Sequence, residues 1–163
     1  MKAMGCLNDC NIAFTKTWID NVDQDDTLIE IAIDVWTRHG YMHQLFYTTS
    51  LIFEEFGRKM TDKSYQLDDQ LDIEFKESGF HPAVLFCFLS ADFHGVIPIE
   101  VDLQVLDNLD ESARCRMRVE IEAGMLERFG KAVQRVARGA VGEACRLNPS
   151  LPARCIPGDT EEY

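Results

Sequence analysis

Two runs of alternating side chains joined by a polar turn constrain this chain more than anything else in it. Ile97, Ile99, Val101, Leu103 and Val105 take every second position of the first run, with Glu100, Asp102 and Gln104 between them. In the second run Cys115, Met117, Val119 and Ile121 alternate with Arg114, Arg116, Arg118, Glu120 and Glu122. A period of two over such lengths describes half-buried antiparallel strands. The connection Leu106–Ala113 is rich in Asp, Asn, Glu and Ser, which suits a turn. A hairpin closing there sets Glu100 and Asp102 opposite Arg116 and Arg118 on the face away from the core. After Gly124 the period lengthens. Leu126, Phe129, Val133, Val136 and Ala140 recur at three-to-four spacing, the mark of an amphipathic helix laid over the sheet.

The rest of the chain fits around that unit. Ile12–Ile19, Thr27–Trp36 and Tyr41–Thr48 read as strands, the second with Ile29, Ile31, Ile33 and Val35 on one face. Ser50 is expected to cap a helix over Leu51–Met60, whose buried stripe is Ile52, Phe53, Phe56 and Met60. Tyr65–Phe75 returns to strand, and Pro82–Leu89, apolar on both faces, is expected to be central in the sheet. Pro98 predicts a bulge or an unpaired position in the strand that begins at Val96. The closing helix is expected to run on toward Arg146 despite Gly139 and Gly142. No internal repeat is evident. The order β-β-β-α-β-β-β-β-α predicts an α+β domain: one twisted antiparallel sheet of about six to seven strands with two helices on one face. Residues 1–11 are expected to be frayed, 12–146 to form the domain, and 147–163 to be irregular.

Composition narrows the functional classes. With 163 residues, 46% hydrophobic and 27% charged, the chain is that of a soluble globular domain. Pro82–Leu89 is far shorter than the roughly 20 residues of a membrane helix. The N-terminal segment lacks the apolar stretch of a signal peptide, because Asn8, Asp9 and Asn11 interrupt it, so a cytoplasmic location is expected. The net charge of −12 is unevenly spread: residues 1–112 carry −14 and residues 113–163 carry +2. An acidic body repels nucleic acid and anionic membranes and attracts a basic protein surface. Cys87 and Cys115 fall on apolar strand faces, and reduced thiols are expected throughout.

Few residue patterns point to chemistry. Cys6, Cys10, His39 and His43 contain the ligand types of a zinc site, but two predicted strands separate the pairs and His39 sits at a turn. Acidic pairs such as Glu54-Glu55 and Asp68-Asp69 alternate or adjoin on surfaces, rather than converging on a cleft as paired catalytic carboxylates must. There is no G-x-S-x-G turn and no phosphate-binding glycine loop between a strand and a helix. The expectation is therefore a protein without enzyme activity, metal or cofactor.

A partner-binding face fits better. Asp68, Asp69, Asp72, Glu74, Glu100 and Asp102 are expected on the solvated face of the sheet. Trp36, Tyr41, Tyr47, Phe86 and Phe88 lie on strands with one face in water. In the simplest register Leu85, Cys87 and Leu89 share the core side, which leaves Phe86 and Phe88 beside Glu100 and Asp102. Aromatic anchors rimmed by carboxylates suit a basic protein partner.

The strand order, the mid-chain helix Leu51–Met60 and the strand-helix unit Arg116–Arg138 resemble the small acidic immunity proteins of bacterial toxin systems, over Thr27–Arg138. That resemblance implies a protein that binds and blocks a cognate toxin, often a basic nuclease. Asp72, Glu74, Glu100 and Asp102 would then supply charge, with Phe86 and Phe88 as anchors, and the chain itself would be a monomer or homodimer. Two other readings stay open. One is a small enzyme or ligand-binding domain in which His81, His94 or Tyr41 converges on carboxylates. The other is a structural homodimer paired through the exposed sheet face.

Overall fold

Wherever β-branched and aromatic residues alternate with polar ones the chain is extended, and wherever their spacing lengthens it coils. The computed structural model describes residues 10–20, 26–75, 83–106 and 112–151. Among them lie strands β1 (Asn11–Ile19), β2 (Leu28–Thr37) and β3 (Gly40–Thr49), helix α1 (Ser50–Lys63), and strands β4 (Leu71–Phe75), β5 (Ala83–Phe88), β6 (Val96–Leu106) and β7 (Ser112–Glu122). Helix α2 (Ala123–Arg138) and a short strand β8 (Ala144–Arg146) complete them. The class is α+β, as expected, but the strands form two antiparallel sheets of four rather than one larger sheet. Their orders are β3-β2-β1-β8 and β4-β5-β6-β7. The chain changes sheet at α1: it leaves the edge strand β3, crosses the core as a helix, and starts a new edge with β4.

The registers show a repeat that residue identity hides. Each half is a run of three strands, a helix and a short strand: β1-β2-β3-α1-β4, then β5-β6-β7-α2-β8. The short strand of each half pairs with the first strand of the other, Ile73 beside Phe86 in one sheet and Cys145 beside Phe14 in the other. Phe14 pairs with Ile33 and Phe86 with Val101, and the next residues on those strands, Asp34 and Asp102, lie opposite His43 and Arg116. Corresponding positions keep Ile29/Ile97, Ile31/Ile99, Asp34/Asp102, Glu54/Glu127, Phe56/Phe129 and Gly57/Gly130. Little else is shared. The exchanged short strands tie the halves into one body.

Both sheets turn their inner faces, and both helices their apolar stripes, into a single core. At its centre Phe14 touches Phe53, Phe129, Phe86, Phe56 and Phe46, with ring centroids 5.4–6.5 Å away. The helices cross where each carries its glycine: a Cβ on Gly57 would lie 2.6 Å from the Gly130 carbonyl oxygen, and one on Gly130 2.5 Å from that of Gly57. Two bare backbones set the separation of the helices.

Several local expectations are corrected. Thr49, not Ser50, caps α1: its hydroxyl accepts from the Ile52 amide at 3.3 Å, and Ser50 begins the helix. Residues 65–70 form turns, so the strand predicted from Tyr65 starts only at Leu71. Pro98 makes no bulge, because the β6–β7 register runs through it without a break. Its carbonyl accepts from the Leu89 amide on the β5 side, where β5 has ended and no N–H is required of the ring nitrogen. Helix α2 stops at Gly139, short of Arg146. There the buried Lys16 ammonium donates to the carbonyls of Ala137 (2.9 Å) and Gly139 (2.7 Å), taking up orphan acceptors of the last turn. The chain then turns at Gly142, whose φ of +95° suits glycine, into β8. Asn11 is fully buried, and it donates to the Asn148 carbonyl at 2.9 Å while accepting the Asn148 amide at 2.8 Å. The pair clasps the start of β1 to the residues after β8. The connections expected at 76–81 and 107–111, and the tails 1–9 and 152–163, lie outside the described residues.

Candidate functional site

The four carboxylates singled out in the sequence share one surface, the outer face of the β4-β5-β6-β7 sheet, because each faces away from the core at its place in the registers. Asp72 and Glu74 lie on the edge strand β4, opposite Cys87 and Leu85. Glu100 and Asp102 lie on β6, opposite Arg118 and Arg116. The aromatic half of the expectation is corrected. Phe86 and Phe88 are each 1% exposed and belong to the core, while Leu85 and Cys87 take the outer side. The register between β5 and β6 is shifted by one from the simplest choice, and a shift of one turns every side chain over. The core selects this register because two phenylalanines bury more apolar area than a leucine and a cysteine. Of the other aromatics, Trp36, Tyr41 and Tyr47 sit on the outer face of the opposite sheet, with Trp36 almost wholly buried there. Phe86 and Phe88 thus lie on the opposite side of the sheet from Asp72, Glu74, Glu100 and Asp102.

Nor are the four carboxylates equivalent. Asp102 is 2% exposed and is held by Arg114, through Nε at 3.1 Å and a terminal nitrogen at 2.5 Å, and by Arg116 at 3.2 Å. The Arg114 hydrogen bonds hold its pKa below the ordinary 3.8, against the opposing effect of burial. A carboxylate so engaged is unavailable to a partner. Because its folded pKa is depressed, the stability it contributes is present above pH 3.8 and is lost as pH falls toward the folded value. Asp102→Asn is expected to cost about 1–2 kcal/mol at neutral pH. In chemical denaturation across a pH series, the gap between the two chains should close below that limit; a gap independent of pH would show that the charge is not what matters.

Asp72 and Glu74 are exposed, and among the described residues no cation pairs with either. Gln70 donates to Asp72 at 3.1 Å, and hydrogen bonds from Cys87 and Gln70 hold its carboxyl below the usual range, so it is charged at neutral pH. The two carboxylates edge a groove of about 400 Å³ between β4 and α1, whose wall includes Leu51, Ile52, Glu55, Lys59, Ile73 and Phe56. Leu51 and Ile52 are each 54% exposed, unusual for aliphatic side chains with no polar tip. Among the described residues β4 pairs only with β5, so one backbone edge of the strand borders the groove. Sequence reasoning found Asp72 and Glu74 but not Glu55, Leu51, Ile52 or the groove. Spacing alone orients the helix with Ile52 inward; with α1 packed on α2, Ile52 faces out.

The other candidates disperse. His43 contacts Asp34 at 2.8 Å, and Tyr41 donates to the same carboxylate, on the outer face of the first sheet. His94 lies in the turn before β6 beside the exposed Phe93. His81 and Cys6 are outside the described residues. No three His, Cys, Asp or Glu side chains among the described residues are placed to hold a metal ion. Burial pushes the Cys145 thiol up to about 12, and burial with the neighbouring Asp72 pushes the Cys87 thiol up to about 11, so both are held in the neutral form. Cys115, expected on an apolar face, is exposed. No described helix is long and apolar enough to cross a membrane.

No family model matches the sequence, and no curated protein is similar to it. Among solved structures, that of the plant transcriptional regulator PBF-2 is similar over 80% of this chain and 78% of its own, at 8% identity and a TM-score of 0.44.

Proposed function

We propose that this chain is a binding protein without catalytic activity, which takes a basic protein partner in the groove between α1 and β4. The observation that carries the reading is the groove itself: exposed Leu51 and Ile52 beside Asp72 and Glu74, which outnumber the lining's Lys59, along a strand edge that is unpaired among the described residues. An extended segment can add to such an edge through its backbone while alternate side chains meet the groove. Arg or Lys on that segment would meet Asp72 and Glu74, while Glu55 is already engaged by Arg58, and apolar side chains would cover Leu51, Ile52 and Ile73. Charge around the groove steers encounter and selects the partner; the apolar wall slows its release. The resemblance to immunity proteins makes a basic toxin, with a nuclease first among them, the partner class to try, blocked by occlusion of its active site.

The test uses a synthetic extended peptide of alternating Arg and Leu, measured by calorimetry at low and high salt. Asp72→Lys/Glu74→Lys is expected to weaken binding about tenfold or more, a loss of roughly 1.4 kcal/mol, and to flatten the salt dependence. Glu100→Lys, on the same sheet face but outside the groove, should change little. Equal losses in both variants would point to the overall charge and sink the groove.

A further inference from the structure

The repeat supplies a second groove at the position corresponding to the first. Strand β8 follows helix α2 in the chain as β4 follows α1, and between α2 and β8 lies a groove of about 440 Å³. Part of its lining corresponds to the first: Phe129 stands for Phe56, Cys145 for Ile73 and Leu147 for Phe75, whereas nothing in it corresponds to the exposed Leu51 and Ile52. The net charges are opposite. Where the first groove has Glu55, Asp72 and Glu74 with Lys59, the second has Arg128, Lys131, Arg135 and Arg146 and, among the described residues, no carboxylate in its lining; beside the grooves Glu55 pairs with Arg58 and Lys131 with Glu127. Among the described residues β8, like β4, is a sheet edge. The uneven charge of the chain, acidic before residue 113 and basic after it, is thus displayed on two corresponding surfaces of one molecule.

We infer that the occupant of the acidic groove in the absence of another partner is the basic groove of a second copy, joined head to tail with β4 of one molecule beside β8 of the next. Charge complementarity selects this pairing over its alternatives. Two β4 edges together would set Asp72 and Glu74 against themselves, and two β8 edges would do the same with Arg146; like charges directly opposed across strands repel. Only β4 against β8 brings Glu74 and Glu55 toward Arg146 and Arg128, with Ile73 meeting Cys145 along the strands. The contact joins different patches on the two molecules, so it propagates to a ring or an open chain. Both ends are charged, so association weakens as salt screens them. This inference rests on the same acidic groove as the proposed function but needs the basic groove as well.

Light scattering on the eluting full chain tests it. The 18.6 kDa chain should exceed its monomer mass at low salt and high concentration, and return to it at high salt. Asp72→Arg/Glu74→Arg should stay monomeric, and so should Arg128→Glu/Arg135→Glu, each folded by circular dichroism. Mixed in equal amounts, the two variants retain one sound groove each and should associate with each other, which neither does alone. Arg128→Glu alone serves as a milder second variant, with a partial loss expected. A wild-type chain that is monomeric at low salt, or variants that associate on their own, or a mixture that stays monomeric, would overturn the inference. A monomeric chain that still binds the Arg-Leu peptide would overturn head-to-tail pairing alone; one that self-associates but ignores the peptide would overturn only the proposed function.

Discussion

A Phe14→Ala chain is expected to be about 3–5 kcal/mol less stable than the natural one, the usual cost of emptying a large aromatic site in a core that cannot collapse around it. This ring is fully buried and touches phenylalanines from both sheets and both helices, so no single neighbour can fill the space it leaves. Its loss reaches the surface too. Phe56 and Phe129 line the acidic and the basic groove respectively, and each packs on Phe14 from its own helix, at 5.9 and 5.6 Å. Urea denaturation should therefore show a lower midpoint with an unchanged slope, and peptide binding and self-association should weaken together. A loss below about 1 kcal/mol would mean that the core repacks, contrary to its close packing.

The second large effect is expected at the helix crossing. Alanine is ordinarily about 1 kcal/mol better than glycine inside a helix, so Gly130→Ala would be stabilising if propensity decided. Geometry decides otherwise. The new methyl would meet the Gly57 carbonyl oxygen at 2.5 Å and the Thr61 hydroxyl oxygen at 2.5 Å, and the first of these is backbone that can yield only if the helix moves. Overpacking of this kind costs about 1–3 kcal/mol, more than the propensity gain returns. Gly57→Ala is expected to behave alike, because its Cβ faces the Gly130 carbonyl at 2.6 Å. The double variant should cost clearly less than the sum, since the helices need to separate only once. Thermal denaturation of the two single variants and the double variant checks this, and strict additivity would show that the crossing is not shared.

Much of the secondary structure was legible because periodicity is a local property. The Ile29–Val35 and Ile97–Val105 alternations placed β2 and β6 within a residue or two, and the three-to-four spacing after Gly124 placed the start of α2, though not its end. The charged half of the candidate site was legible for the same reason: Asp72 and Glu74 alternate with Leu71, Ile73 and Phe75, which sets them outward whatever the strand pairs with. β8 escaped notice because three residues are too few to show a period, and its pairing to β1 spans nearly the whole chain.

By itself, then, the amino-acid order determined which residues extend and which coil, the α+β class, the outward position of Asp72, Glu74, Glu100 and Asp102, and the unequal charge of the two parts of the chain. Only the tertiary structure decided that the strands divide into two sheets, that Phe86 and Phe88 point inward, and that Arg114 and Arg116 engage Asp102 while no described cation pairs with Asp72 or Glu74. It also decided that two sets of unlike side chains occupy corresponding grooves. The division has a physical reason. Alternation settles the direction of a side chain relative to its own strand, whereas register, sheet membership and the pairing of charges are settled by which arrangement buries the most apolar surface, and that is a property of the whole core.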